Sequence, residues 1–196
     1  VSILLEELGL PYEPHLVSFG TNDQFSPEFL SLNPNNKIPA ILDPDGPGGQ
    51  PLALFETGAI LVYLADKTGQ LLPAEPAARA RVEQWMDWQA TELNTAWRHA
   101  FMGLVRKSPA FADPALIDAS VLAWNRHMAL LEDVLRSTDA FVTGSRFTLA
   151  DVVLGLATHR WYMTPMARPD LPAVAAYYDR LDARPGFRAH GRNGMP

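Results

Sequence analysis

The chain has 196 residues, with 16 Lys+Arg against 22 Asp+Glu, no cysteine, and 47% hydrophobic residues. That is enough chain for one large domain or two small ones, each with a core, and its 13 glycines and 17 prolines stay below a low-complexity share. A net charge of −6 offers no basic surface for a nucleic-acid backbone. Without cysteine these residues supply no disulfide, no thiolate zinc site and no protein thiol nucleophile.

No apolar run approaches the roughly 20 residues needed to span a bilayer, and no basic segment followed by an apolar core opens the sequence. The expectation is a soluble, cytoplasmic protein that contacts neither membrane nor nucleic acid.

In chain order, Val1, Leu4, Leu5 and Leu8 share one helical face, and Gly9 with Pro11 behind it stops that helix. Tyr12 to Phe19 carries a weak alternation that predicts a strand. Ser26 reads as an N-cap with Pro27 in the first helical turn, and Asn33-Pro34-Asn35-Asn36 as a turn. Ala40–Leu42 and Leu52–Phe55 flank a Pro/Gly-rich loop, which predicts a hairpin, and a helix from Glu56 to Thr68 closes at Gly69.

The second half reads as long amphipathic helices. Val82, Trp85, Gln89, Leu93, Ala96, Ala100 and Leu104 fall on one side of a single long helix. Ile117, Val121, Trp124, Met128, Leu131 and Leu135 alternate spacings of four and three, the seam of a bundle. Helices over about 149–163 and 171–183 complete an all-α region.

Motifs for zinc hydrolysis, for a serine nucleophile and for phosphate cradling are absent, and the five histidines share no helical metal-ligand spacing. Thr148 and Asp151, placed before an apolar run, form a capping box, so Asp151 is a folding element. The Ile38-Pro39 bond enters a strand. It is either an ordinary strand-entry proline or a cis peptide that turns the Ile38 backbone toward an extended peptide ligand. At a strand–helix junction, the N–H groups near Thr57 suit a carboxylate, the Thr57 hydroxyl adds a donor, and Glu56 can pair with an ammonium. Capping and dipole complementation by the same two residues is the alternative.

Three separated stretches occur together: Asn33-Pro34-Asn35-Asn36-Lys37-Ile38-Pro39-Ala40-Ile41; Leu54-Phe55-Glu56-Thr57-Gly58-Ala59-Ile60-Leu61-Val62-Tyr63-Leu64; and the Gly144, Thr148, Ala150, Asp151 pattern. In this order they resemble the glutathione transferase superfamily over essentially the whole chain. The first half is similar to the bacterial Nu class and its yeast prion-protein relatives. The second half, around Asn94-Thr95-Ala96-Trp97-Arg98-His99-Ala100-Phe101, is similar to another bacterial branch.

The resemblance implies an α/β thioredoxin-like, glutathione-binding domain over 1–72 and an all-α helical-bundle domain over 73–196, with the linker near Pro73. It implies glutathione as cosubstrate, no metal, and a homodimer. Ile38 and Pro39 would pair with the cysteinyl backbone of glutathione, and Glu56 and Thr57 with its γ-glutamyl end. Gln24 and Lys37 would reach its glycyl carboxylate, a solvated loop position for Gln24 being the alternative, while Trp97, Arg98 and Phe101 would line the pocket for an electrophilic small molecule, with a buried tryptophan beside a surface arginine as the alternative. In this fold the turn after the first strand delivers the group that activates the thiol. That strand is absent from the given residues, so the catalytic group is expected upstream of Val1, within about a dozen further residues. The implied reaction is thiolate attack on an electrophile. Glutathione-dependent disulfide reduction and a non-catalytic interaction role on the same fold are the alternatives.

Overall fold

The computed structural model describes residues 1–138 and 140–195. The first helix, α1 (Ser2–Leu8), buries Ile3 and Leu4 and ends where Gly9 takes a left-handed conformation (φ 63°), a geometry that only glycine adopts freely. The following segment does not form the expected strand. Residues 11–18 form no regular secondary structure and have no ladder partner among the described residues, and Leu16 is 93% exposed. Pro11 and Pro14 remove two N–H donors there, so alternation alone does not produce pairing.

After a short 3-10 turn at Asp23–Phe25, Ser26 accepts the Phe29 N–H at 3.1 Å and starts α2 (Pro27–Leu32). Strands β1 (Ala40–Asp43) and β2 (Leu52–Phe55) pair antiparallel in the register Ala40↔Phe55 to Asp43↔Leu52. α2 packs against both strands, and α3 (Thr57–Thr68) against β2. The hairpin is fastened to α3 through Asp43, which accepts from the Tyr63 hydroxyl at 2.6 Å and from Lys67 Nζ at 2.6 Å. This is a small thioredoxin-like unit with helices around a two-stranded sheet.

The remaining elements are helical. Glu75 caps α4 (Pro76–Trp88) by accepting the Ala77 N–H at 2.9 Å, and Arg79 clamps Asp66 of α3 through two bonds of 2.8 and 3.0 Å. The single long helix expected through Leu104 is interrupted by a π turn at Gln89–Leu93 before α5 (Asn94–Leu104). The inserted turn leaves Val82, Met86, Leu93 and Ala100 buried, so the apolar stripe survives while its register shifts.

α6 (Pro114–Thr138), α7 (Leu149–Met163), α8 (Pro172–Leu181) and α9 (Pro185–His190) complete the bundle around Trp124, Trp161, Tyr177 and Phe187, all four fully enclosed. The capping box at the start of α7 is present, with Asp151 accepting the Thr148 N–H at 2.8 Å.

Besides the Arg79–Asp66 clamp, further contacts tie the N-terminal unit to the bundle. The Leu71 carbonyl accepts the Leu149 N–H at 3.1 Å. Glu7 on α1 accepts from Arg184 Nε at 2.9 Å and from the Gly186 N–H at 3.0 Å. Gly186 passes so close to the Ile3 carbonyl that no Cβ fits between them.

No helix among the described residues is long and apolar enough to cross a membrane.

Candidate functional site

The turn before β1 is built by Asn33, which is buried between α2 and the strand. Its Nδ2 donates to the Lys37 carbonyl at 2.6 Å, and its Oδ1 accepts the Asn35 N–H at 2.9 Å. Asn36 takes a positive φ of 49°, a conformation asparagine tolerates better than most side chains. The turn delivers a cis Ile38-Pro39 bond. Ile38 is 53% exposed, and among the described residues its N–H and C=O make no hydrogen bond within the protein. The structure therefore has the cis alternative, with a free peptide edge beside it.

Glu56 lies at the junction of β2 and α3 with φ 68° and ψ 121°, a sparsely populated conformation for a side chain with a Cβ. Its carbonyl accepts the Ile60 N–H at 3.0 Å, but its carboxylate makes no capping bond. The carboxylate is thus left toward solvent and the first N–H groups of α3 are left open. Thr57 is the first residue of α3 and half-buried. An exposed carboxylate beside open helix N–H groups can take an ammonium and a carboxylate carried on one ligand.

Gln24 sits in the 3-10 turn, only 9% exposed, and its Oε1 is enclosed without a partner. It is not a solvated loop residue. Lys37 is exposed next to the cis bond.

A second cluster forms in the helical region. Asn94 Oδ1 accepts from Gln89 Nε2 at 2.8 Å and from Trp97 Nε1 at 2.9 Å, so the π turn and the indole share one acceptor. Trp97 meets Phe101 edge to face, ring centroids 5.3 Å apart. Arg98 does not join them: it is exposed and its guanidinium lies 6.0 Å from the Phe111 ring. Successive helical residues point about 100° apart, so Trp97 and Arg98 cannot share a face.

Sequence reasoning missed Arg160 of α7, whose guanidinium lies 4.5 Å from the Trp97 ring and 5.2 Å from Phe101, and Arg106, 5.5 Å from Phe101. The one available signal was a cation set inside the apolar run of α7. Among the described residues no group of three or more His, Asp or Glu is disposed to hold a metal ion.

The sequence matches the family described as glutathione S-transferase, N-terminal domain, over residues 1–67, and glutathione S-transferase, C-terminal domain, over residues 114–180. The chain belongs to the glutathione S-transferase family.

Among curated members of the family, it is 35% identical over 188 residues to the disulfide-bond oxidoreductase YfcG of Escherichia coli K12, covering 94% of this chain and 85% of that protein. It is 36% identical over 192 residues to the glutathione S-transferase GstB of the same organism, covering 96% and 89%. Among solved structures, a glutathione transferase family member from Pseudomonas fluorescens pf-5 with two glutathione bound is 41% identical, with a TM-score of 0.84 over 96% of this chain and 85% of that one. A glutathione transferase from Pseudomonas putida with one glutathione disulfide bound per subunit is 36% identical, with a TM-score of 0.84 over 98% and 85%.

Proposed function

We propose that the protein binds glutathione and directs its thiolate at an electrophilic small molecule. The observation that carries this reading is the free peptide edge of Ile38 at the cis Ile38-Pro39 bond, in the same small unit as the uncapped α3 start at Glu56-Thr57. The Ile38 N–H and C=O pair with the cysteinyl backbone in the manner of an added strand. The open N–H groups of α3 and the Thr57 hydroxyl hold the γ-glutamyl carboxylate, and Glu56 pairs with its ammonium. Lys37 and Gln24 supply a charge and an amide for the glycyl carboxylate. Residues 1–72 form this glutathione-binding domain, and residues 73–196 form the helical domain, which supplies Trp97 and Phe101 to the electrophile.

The work of these residues is positioning. A thiolate held beside an electrophile reacts as if intramolecular; its sulfur bonds to carbon as the leaving group departs with the electron pair, or adds across an activated double bond. We also propose a homodimer in the cytoplasm.

A second reading, glutathione-dependent disulfide reduction, is favoured by the match to a relative named as a disulfide-bond oxidoreductase. Residues 1–196 contain no cysteine, and the exchange needs none from the protein: a disulfide and two glutathione give two thiols and glutathione disulfide.

Calorimetric titration of glutathione into the protein and into Glu56→Ala tests the site, with a sharp loss of affinity expected in the variant. Equal affinity refutes the assignment of Glu56. Assays with 1-chloro-2,4-dinitrobenzene and with hydroxyethyl disulfide separate the two reactions, and inactivity toward both counts against both. Light scattering tests the dimer, which requires a mass twice the chain's 21.6 kDa.

A further inference from the structure

Arg160 carries a largely buried positive charge that no acid among the described residues neutralises. Its Nε is enclosed without a hydrogen-bond partner, and none of the ion pairs among the described residues includes it. Two other arginines of the bundle are answered by buried acids, Arg184 by Glu7 and Arg136 by Glu132. Burial, and secondarily the like charge of Arg106, push the Arg160 guanidinium below its ordinary pKa. What holds Arg160 is aromatic: the Trp97 and Phe101 rings, 4.5 and 5.2 Å from its central carbon.

Stacking on aromatic faces recovers part of the cost of burying a cation, but it leaves the in-plane N–H donors unused. With Nε enclosed and Phe101 only 5% exposed, the groups left open are the two terminal Nη nitrogens and the half-buried Trp97, and they fit one ligand type well: an anion whose carboxylate takes the Nη donors while a flat body lies along Trp97. Arg106 lies over the same Phe101 ring, 5.5 Å away, and adds a second positive charge nearby.

We infer that Arg160, assisted by Arg106, is the specificity determinant of the electrophile pocket and selects substrates bearing a carboxylate on an aromatic or similarly flat apolar body. This rests on the reading above in which Trp97 and Phe101 line that pocket. Asn94 contributes indirectly, fixing the Trp97 indole through the bond at 2.9 Å so that the ring face stays presented to Arg160.

The test compares 3,5-dinitrobenzoate with its methyl ester, two ligands of nearly the same shape that differ in charge. Binding is measured by calorimetry on the unmodified protein, on Arg160→Gln and on Arg160→Lys, with and without saturating glutathione. The unmodified protein should prefer the acid on the order of tenfold or more, the scale of a charge-assisted hydrogen bond. Arg160→Gln should erase that preference while leaving ester affinity in place, and Arg160→Lys should restore part of it.

Equal binding of acid and ester by the unmodified protein overturns the proposal, and that measurement stands even if Arg160→Gln does not fold. So does a Gln variant that weakens acid and ester alike, since that is the signature of a purely structural stack. Displacement of the acid by glutathione would assign the charge to glutathione's own carboxylates and also overturn it. Acid and ester are compared without glutathione as well, so a failed glutathione titration refutes the glutathione site and leaves this result to be read separately.

Discussion

The carboxylate of Asp151 reaches out of α7 to the backbone N–H of Val142 at 2.9 Å, so a helix-capping side chain also pins the chain that leads into the helix. Burial outweighs its hydrogen bonds from Val142 and Thr148 and pushes the Asp151 carboxyl from 3.8 up to about 6. With the folded value above the unfolded one, the contribution of this group is fully present below the unfolded value and is lost as pH rises through about 6. Asp43, beside Lys67 and Tyr63, is held low, so it works in the opposite sense and loses stability on acidification. The difference in unfolding free energy between the natural protein and Asp151→Asn isolates the first effect. It should shift against the natural protein by on the order of 2 kcal/mol between about pH 4 and pH 7 in urea denaturation. A difference that is flat with pH contradicts the assignment.

The Glu7 side chain is 1% exposed while its partner Arg184 is 33% exposed. Glu7→Gln removes the charge and weakens the link between α1 and α9, with an expected loss of about 2 kcal/mol, reduced from the cost of breaking a fully buried pair because Arg184 can turn to water. A double-mutant cycle with Arg184→Gln by chemical denaturation should return a coupling energy of at least about 1 kcal/mol. Additive effects would show that the pair does not act as a unit.

Glu56→Gly relieves a conformation that costs on the order of 1 kcal/mol for a residue with a Cβ, and removes the carboxylate. The variant should unfold at equal or higher denaturant concentration while losing glutathione affinity. Loss of stability together with unchanged affinity would reverse both halves of this prediction.

Gly103 leaves no room for a larger residue: a Cβ there would stand 2.5 Å from the Phe111 carbonyl and 2.7 Å from Ile117 Cδ1. Gly103→Ala should therefore destabilise the protein by about 1–3 kcal/mol, despite alanine's better helix propensity. Thermal unfolding that matches or exceeds the natural protein would show that α5 and α6 can move apart there.

The elements that the sequence makes legible are those with local causes. Ser26 before Pro27, Thr148 three residues before Asp151, and the hairpin around its Pro/Gly loop each write their signal within a few residues. The π turn at Gln89–Leu93 was hidden because a stripe spaced by three and four keeps its appearance when one residue is inserted. Tyr12 to Phe19 misled because pairing depends on a partner elsewhere in the chain. Ile38-Pro39 and Glu56-Thr57 could be singled out from residue type and position, whereas their backbone angles are set by tertiary packing. Arg160 escaped notice because Trp97 and Phe101, which give it meaning, are some sixty residues earlier in the chain.

The contact between α1 and α9 joins residues 177 positions apart. At roughly 5–20 residues per second, a ribosome needs on the order of ten to thirty seconds to deliver Arg184 after Glu7. Through that interval Ile3 and the buried Glu7 carboxylate lack the covering that Gly186 and Arg184 later provide. The N-terminal unit therefore completes its packing only when the far end of the helical region has emerged.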